Sequence, residues 1–276
     1  MKRRELLALG LAAPALMKLR PPESGEIPVA FLVSEGAVII DFCGPWEVFQ
    51  DAGRFRLYTV AETTRPIRAS GGMQIVPDYD FASAPAPKIV VIPAQRGGRN
   101  KAAVDWLRKS AAQADLTMSV CTGAFVLAGA GLLSGKSATT HHSSYATFAM
   151  AFPDVRLQRG VRFVDEGTIA SAGGLTSGID LALHAVERYF GRDAAKSTAD
   201  YMEYQGQGWL DARSNGAYAR PPKPAAGRAI CPVCWMDLDP AAAPQSVYRG
   251  VTYSFCSTDH KQQFDAAPQR FLDLAQ

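Results

Sequence analysis

From residue 27 onward, short apolar runs alternate with longer segments that carry apolar residues at helical spacing. Short apolar runs predict buried strands, which we place at residues 28–33, 55–61, 88–93, 116–120 and 137–141. Amphipathic spacing predicts helices, which we place at residues 44–52, 100–113, 176–191 and 193–204. We also expect a hairpin-like stretch at 65–76 and a hairpin of strands 161–165 and 168–172. This alternation predicts an α/β fold, with a parallel sheet covered by helices on both faces and a site at the C-terminal strand ends.

One cysteine, Cys121, lies where an apolar, partly β-branched run meets a segment rich in small residues and leucine. Gly123 removes the side chain that would crowd a sharp strand-to-helix turn at this point. A thiol there sits at the positive end of a helix dipole, which we expect to lower its pKa. The layout is the cysteine counterpart of a nucleophile elbow. A buried packing cysteine is the alternative interpretation.

Three segments connect this junction to a known family. They are Asp-Phe-Cys-Gly-Pro-Trp-Glu-Val-Phe at 41–49, Ser-Val-Cys-Thr-Gly-Ala at 119–124 with Ala-Gly-Leu-Leu-Ser-Gly-Lys-Ser-Ala-Thr-Thr-His at 130–141, and Gly-Gly-Leu-Thr-Ser-Gly-Ile-Asp-Leu-Ala-Leu-His at 173–184. Over residues 27–205 the chain resembles the isonitrile-hydratase-like branch of the ThiJ/PfpI superfamily. The resemblance implies a flavodoxin-like domain at residues 26–205 and a nucleophilic thiol at Cys121.

The resemblance also implies that Asp41 is catalytic. A carboxyl beside a thiol, partly removed from water, has a raised pKa and can move a proton near neutral pH. A helix-capping role is the alternative for Asp41. Thr122 stands where other family members carry histidine, so the nucleophile lacks an adjacent imidazole and we expect a carboxylate partner. We expect Thr122 to offer its N–H to an oxyanion and its hydroxyl to the substrate.

Three further residues are assigned to the substrate and oxyanion site. Much of the superfamily carries Pro-Gly-Gly after the strand that precedes the elbow unit, and this chain has Pro-Ala-Gln at 93–95. We expect Ala94 to donate its N–H to the oxyanion. Gly44 and His141 match the pattern of the branch, and we place both beside the substrate. A structural hydrogen bond is the alternative role for His141.

The composition changes near residue 206. Residues 206–228 are rich in glycine and proline and predict a partly extended linker. Beyond them, in a separate domain at 229–276, two close pairs form a possible metal site: Cys231, Cys234, Cys256 and His260. Three thiolates and an imidazole suit zinc or Cu(I), and a small tail gains a core from a bound metal. A disulfide set is the weaker alternative. The tail resembles the YHS (or TRASH-like) domain, with histidine at 260 where many relatives carry cysteine.

Composition narrows the class of protein. The 276 residues are 47% hydrophobic and 20% charged, as in globular proteins, and the net charge of +3 comes without a basic run. Nucleic acid is therefore not an expected partner. Within residues 1–25, a twin arginine and a short apolar run resemble a Tat-type export signal. The run is too short for a stable membrane span. We expect a periplasmic protein; an uncleaved N-terminal helix on a cytoplasmic protein is the alternative.

These observations predict a cysteine-dependent hydratase or hydrolase joined to a small metal-binding domain. Under the family resemblance, the reaction converts a small-molecule isonitrile and water to an N-substituted formamide. We expect no cofactor in the main domain, zinc or copper in the tail, and a homodimer that pairs through apolar helix faces. A non-enzymatic redox or metal sensor is the first alternative. A transcription-regulator-like ligand-binding domain is the second, since the tail has no helix-turn-helix pattern.

Overall fold

The computed structural model describes residues 18–21 and 25–272. Most of the predicted export signal therefore lies outside the described residues. Leu19 lies inside them and is buried in the main core, where its N–H donates to the Arg188 carbonyl over 3.0 Å. Residues just ahead of the predicted domain start at 26 thus pack on the domain. Among the described helices, none has the length and apolar character needed to cross a bilayer.

The elements follow one another in the predicted α/β order. The strands are β1 (Ile27–Leu32), β2 (Phe55–Ala61), β3 (Ile67–Arg68), β4 (Gln74–Ile75), β5 (Tyr79–Asp80), β6 (Ile89–Ile92), β7 (Leu116–Val120), β8 (Ser137–Ala138), β9 (Arg156–Leu157), β10 (Phe163–Asp165), β11 (Ile169–Ala172), β12 (Ala229–Ile230), β13 (Asp237–Leu238), β14 (Gln245–Tyr248) and β15 (Val251–Ser254). The helices are α1 (Ile39–Asp51), α2 (Lys101–Ala111), α3 (Gly123–Gly129), α4 (Tyr145–Ala151), α5 (Ser177–Phe190), α6 (Arg192–Tyr201), α7 (Thr258–Ala266) and α8 (Gln269–Leu272).

A seven-stranded sheet forms the centre of the main domain, in the order β10-β11-β7-β6-β1-β2-β5. Neighbouring strands are parallel except at one edge, where β10 pairs with β11 in antiparallel fashion. Alternate residues of each strand face opposite sides. Val29 and Phe31 of β1 belong to the core under α1, α5 and α6, whereas Ala30 and Leu32 belong to the core under α2, α3 and α4. The predicted two-faced parallel sheet is confirmed.

Two local predictions differ from the structure. The first helix begins at Ile39 and not at Gly44, because the turn before it is tight: Gly36 has φ 73° and Ala37 N–H donates to Ser34 O over 3.1 Å. Asp41 therefore lies inside the first turn of α1. The predicted strand at 137–141 is reduced to β8, and the Thr139 N–H after it donates to a side chain, the Ser171 hydroxyl, over 2.9 Å.

The segment predicted as a linker packs partly on the main domain. Trp209 is only 6% exposed and lies in the core beside α6. Arg162 N–H donates to the Ala212 carbonyl over 2.6 Å. Glycine and proline suggested an extended chain here, but the buried indole and this backbone contact hold the segment against the sheet edge. Beyond it, the hairpins β12–β13 and β14–β15 and helix α7 surround a small core that includes Phe255 and Phe264.

Candidate active site and metal centre

The backbone at Cys121 has the shape of a nucleophile elbow. Cys121 follows β7 directly and has φ 58°, a conformation that costs energy for a residue with a side chain. Its N–H donates to Gly173 O over 2.8 Å, which ties the turn to the loop after β11. A Cβ at Gly123 would lie 2.1 Å from the Ile92 carbonyl oxygen, so α3 approaches β6 through a glycine. The sequence prediction of a sharp turn at this cysteine agrees with this geometry.

Replacing that glycine tests the elbow. We expect Gly123→Ala to lower the free energy of unfolding by about 3 kcal/mol or more, because the new methyl group meets backbone that cannot move aside. Gly129→Ala in the same helix is the matched control, since a Cβ there has no neighbour within 4 Å. It should raise the free energy of unfolding by up to about 1 kcal/mol. Urea titration of both variants measures the change in the free energy of unfolding. Small changes of equal size in the two variants would contradict the close approach of Gly123 to the Ile92 carbonyl.

Asp41 lies beside the thiol and is completely buried. Its Oδ2 accepts a hydrogen bond from the Ala94 N–H over 3.0 Å. Burial raises the pKa of this carboxyl from 3.8 to about 6, and the Ala94 N–H and the Cys121 thiol partly oppose that rise. A carboxyl with a pKa just below neutrality is mostly ionised at pH 7 and is still a competent base. The pairing of Asp41 with Cys121 that the family resemblance implied is present in the structure.

The acidity of the Cys121 thiol differs from the sequence prediction. Burial, followed by the charge of Asp41, raises its pKa to about 12. The helix-dipole argument predicted a lowered pKa, but the thiol is only 7% exposed and faces a carboxylate, and these effects dominate. At pH 7 the resting pair is therefore a neutral thiol next to an ionised Asp41.

The Ala94 N–H has a different partner from the one predicted, and Gly44 lies at a contact between two helices. Because the Ala94 N–H already binds the Asp41 carboxyl, it positions the acid and is not available to an oxyanion. A Cβ at Gly44 would lie 3.0 Å from the Ile179 side chain, so this glycine lets α1 and α5 pack closely. The place of Gly44 beside the substrate stays a prediction.

Two backbone N–H groups converge on the Cys121 sulfur. The N–H groups of Thr122 and Leu175 both hydrogen bond to it, and both lower its pKa against the larger effect of burial. Donors placed in this way can also hold negative charge that develops on a substrate bound to the sulfur. Thr122 was predicted as a donor to an oxyanion, whereas Leu175 was not predicted at all. The signal for Leu175 was the pair of glycines before it, which lets the loop after β11 turn toward the thiol.

His141 lies on the opposite side of the same loop. A Cβ at Gly174 would lie 2.4 Å from the imidazole Cδ2, so the ring packs directly on that glycine. The preceding residue, Thr140, donates its hydroxyl to the Cys121 carbonyl over 2.9 Å. Nδ1 of His141 accepts from the Ser143 N–H over 3.3 Å. Burial and the neighbouring His142 lower the pKa of His141, so the ring is neutral at pH 7.

The four predicted metal ligands come together in the tail. One ligand atom from each of Cys231, Cys234, Cys256 and His260 lies within 4.8 Å of every other. The shorter separations are 3.0 Å between Cys256 Sγ and His260 Nδ1, 3.5 Å between Cys234 Sγ and Cys256 Sγ, and 3.7 Å between Cys231 Sγ and His260 Nδ1. Ligands of a tetrahedral zinc ion lie about 3.5–3.8 Å apart. The cluster therefore fits such an ion closely.

The chemical state of these cysteines agrees with a metal site. All five cysteines of the chain are free, so the disulfide alternative is not what the structure contains. Hydrogen bonding by Cys234 lowers the pKa of the Cys231 thiol, and the same contact raises the pKa of the Cys234 thiol, so one thiolate is favoured in the cluster before a metal binds. Cys231 and Cys234 are fully buried within the small core of the tail.

Comparisons with known proteins agree with the two-part organisation. The profile of the DJ-1/PfpI family matches residues 28–188, and the profile of the YHS domain matches residues 229–275. An isonitrile hydratase of Pseudomonas putida is 31% identical over 187 residues, which cover 64% of this chain and 78% of that protein. The HTH-type transcriptional regulator GbdR of Pseudomonas aeruginosa is 29% identical, but the match covers only 52% of its length and 67% of this chain. The crystal structure of a ThiJ/PfpI family protein from Pseudomonas syringae superposes with a TM-score of 0.61 at 26% identity, over 72% of this chain and 83% of that one.

Proposed function

This chain belongs to the DJ-1/PfpI family, and on that premise we propose that its main domain is a cysteine-dependent hydratase that converts an isonitrile and water to an N-substituted formamide. The observation that carries the proposal is the buried pair of Asp41 and Cys121. One member is a carboxylate with a pKa of about 6 and the other a neutral thiol with a pKa of about 12. A base and a nucleophile that still holds its proton can move that proton to the substrate in the same step that forms the new bond.

In the first step, the thiol proton moves to the substrate. Asp41 takes the proton from Cys121, the sulfur bonds to the terminal carbon of the isonitrile, and Asp41 delivers the proton to the same carbon. The product is a thioimidate on Cys121. The N–H groups of Thr122 and Leu175 stabilise the sulfur while it carries negative charge.

The second step adds water. Asp41 takes a proton from a water molecule as its oxygen bonds to the thioimidate carbon, and then gives that proton to the substrate nitrogen. The carbon–sulfur bond breaks, the hydroxyl proton returns to the sulfur through Asp41, and the formamide leaves. The enzyme ends in its starting protonation state, and the sum is isonitrile plus water to formamide.

A ligand-binding domain without turnover is the second candidate. The burial of Cys121 favours it, because a thiol that is 7% exposed is poorly open to a substrate. Relatives such as GbdR carry the related domain in a transcription regulator. On this alternative the same site binds a small molecule, and Asp41 and Cys121 recognise it.

For the tail, the proposal is a structural ion held by Cys231, Cys234, Cys256 and His260. Zinc and Cu(I) both suit three thiolates and an imidazole.

We further propose a homodimer and export to the periplasm, as the sequence suggested. Light scattering over a wide concentration range tests the dimer, and a monomer throughout would refute it.

Replacing the nucleophile tests the hydratase. Purified protein incubated with alkyl and aryl isonitriles should produce the corresponding formamides, and chromatography measures their rate of formation. Cys121→Ala should lose at least about 10³-fold in rate, because no covalent intermediate can form. Cys43→Ala is the matched control, a free and half-buried cysteine in α1, and should turn over as the wild type does. Formamide production at wild-type rates in Cys121→Ala would refute the mechanism. Saturable isonitrile binding without formamide would favour the ligand-binding alternative.

A further inference from the structure

Three aromatic rings form a continuous stack between the segment that leads to the tail and the main domain. Tyr218 lies on His142 with ring centroids 4.4 Å apart and planes inclined by 30°. His142 lies on His141 at the same centroid distance, with planes inclined by 34°. Tyr218 belongs to the segment predicted as a linker, whereas both histidines follow β8. The stack therefore joins the connecting segment to one wall of the candidate active site.

The inner end of the stack lies on the loop that contacts the thiol. The His141 ring packs on Gly174, and the next residue, Leu175, directs its N–H to the Cys121 sulfur. Thr140, which precedes His141 in the chain, donates its hydroxyl to the Cys121 carbonyl. A shift of the His141 ring thus acts on both the donor loop and the elbow.

The outer end of the stack is connected to the tail through residues of the main domain. Next to Tyr218, Ala219 packs so closely on Gly160 that a Cβ on the glycine would lie 2.4 Å from the Ala219 methyl group. Gly160 N–H donates to the Tyr145 hydroxyl over 3.1 Å, and the Tyr145 ring meets Trp235 edge-on at 5.9 Å. These contacts connect the segment that carries Tyr218 with Gly160 and Tyr145 of the main domain, and through them with Trp235 of the tail.

That residue, Trp235, is part of the metal loop. It directly follows the ligand Cys234, its N–H donates to the Cys231 carbonyl over 2.8 Å, and its φ is 68°. The Arg159 guanidinium lies 4.6 Å from its ring centroid. Without a bound ion, the turn keeps only these contacts and the small apolar core of the tail.

We propose that Tyr218 is a positioning residue for the thiol site, and that the metal-loaded tail holds it in place through Trp235. The proposal rests on Cys121 being the reactive centre. A cavity of about 300 Å³ marks the junction, lined by His142, Tyr145, Tyr218 and Trp235 from three parts of the chain. When the ion leaves, Trp235 loses its turn, Tyr218 leaves His142, and the His141 ring and the Leu175 donor loosen together.

The test uses the full-length protein and two readouts that need no turnover. One is the NMR titration of the His141 ring, and the other is the rate at which iodoacetamide labels Cys121, resolved by peptide mass spectrometry. Chelation of the ion should raise the midpoint of the His141 titration, because burial and His142 now lower it, and should speed Cys121 labelling several-fold. Tyr218→Ala should reproduce both changes with the ion still bound, and chelation of that variant should add nothing.

Two variants serve as controls. Tyr218→Phe keeps the stacked ring and should behave as the wild type. Tyr201→Ala removes a tyrosine that is 76% exposed on α6 and should also leave both readouts unchanged. The proposal is overturned if chelation empties the cluster and moves neither readout, or if Tyr218→Ala behaves as Tyr201→Ala does. Because neither readout requires formamide production, absence of turnover would refute the hydratase and leave this test intact.

Discussion

Asp41→Asn should lose formamide production by about 10²–10⁴-fold, the usual contribution of a positioned acid–base group, and should nevertheless fold more stably than the wild type at neutral pH. The activity is lost because an amide cannot take the Cys121 proton. The gain in stability follows from the cost of keeping a buried carboxylate ionised. Activity and stability thus change in opposite directions at one residue.

The sign and the pH range follow from the pKa of Asp41. It is about 6 in the folded protein against 3.8 ordinarily, so between these values the folded state binds more protons than the unfolded state. Wild-type stability should therefore fall as the pH rises from 4 through 6, by up to about 3 kcal/mol for a shift of about two pKa units. The asparagine variant lacks this loss, so its advantage should be largest at pH 7–8 and absent near pH 4. The wild-type activity should fall below pH 6 as Asp41 becomes protonated.

Urea titrations at pH 5 and pH 8 measure the difference. Asp165→Asn is the control, since Asp165 is a half-buried carboxyl whose contacts to His184 and Arg188 outweigh burial and lower its pKa. Its ionised form stabilises the folded state, so this variant should be less stable than the wild type at pH 8. A loss of stability at pH 8 in Asp41→Asn would show that the ionised carboxylate does not destabilise the folded protein.

Cys234→Ser should abolish metal binding and unfold the tail while the main domain remains folded. Structural zinc sites supply about 10–16 kcal/mol to small domains, and the tail has little else: its core consists of the cysteine ligands and a few residues such as Phe255 and Phe264. Hydrogen exchange should show fast exchange of the backbone amides from β12 through α7 and retained protection in the seven-stranded sheet.

Native mass spectrometry provides the second measurement. The wild type should carry one ion per chain and the variant none, and Cys43→Ser should keep its ion, because this cysteine lies in the main domain away from the cluster. Recovery of a Cys234–Cys256 disulfide in place of metal from the wild type, purified under reducing conditions, would contradict the metal site.

Local sequence features predicted the elbow well. The run before Cys121 and the glycine after it define a strand, a turn and a helix within a few residues, and the structure contains all three. The metal ligands were equally easy to predict, since each pair is close in sequence. Asp41 came from the predicted parallel sheet, in which the first strand and the elbow strand end at the same edge, together with the family resemblance; no local pattern places it beside a thiol eighty residues later.

The failures share a physical cause. The role of Ala94 depends on which acceptor reaches its N–H, and that acceptor lies on another element. The pKa of Cys121 depends on its burial by α1 and the loop after β11, which outweighs the local helix dipole. Leu175 reaches the sulfur only because that loop folds back over β7. Each of these is a tertiary effect, and local spacing carries no information about it.

The contact between Gly174 and His141 also constrains how this protein can evolve. Any side chain at position 174 would occupy the space of the imidazole, so the two positions cannot change independently. A lineage that acquires alanine or a larger residue at 174 must first, or at once, replace the histidine by something smaller. Paired substitution at these two sites should therefore appear in alignments of descendants, and single substitution at 174 should be purged. The shape of this part of the molecule should then change only by double substitution, and so more slowly than the surrounding surface.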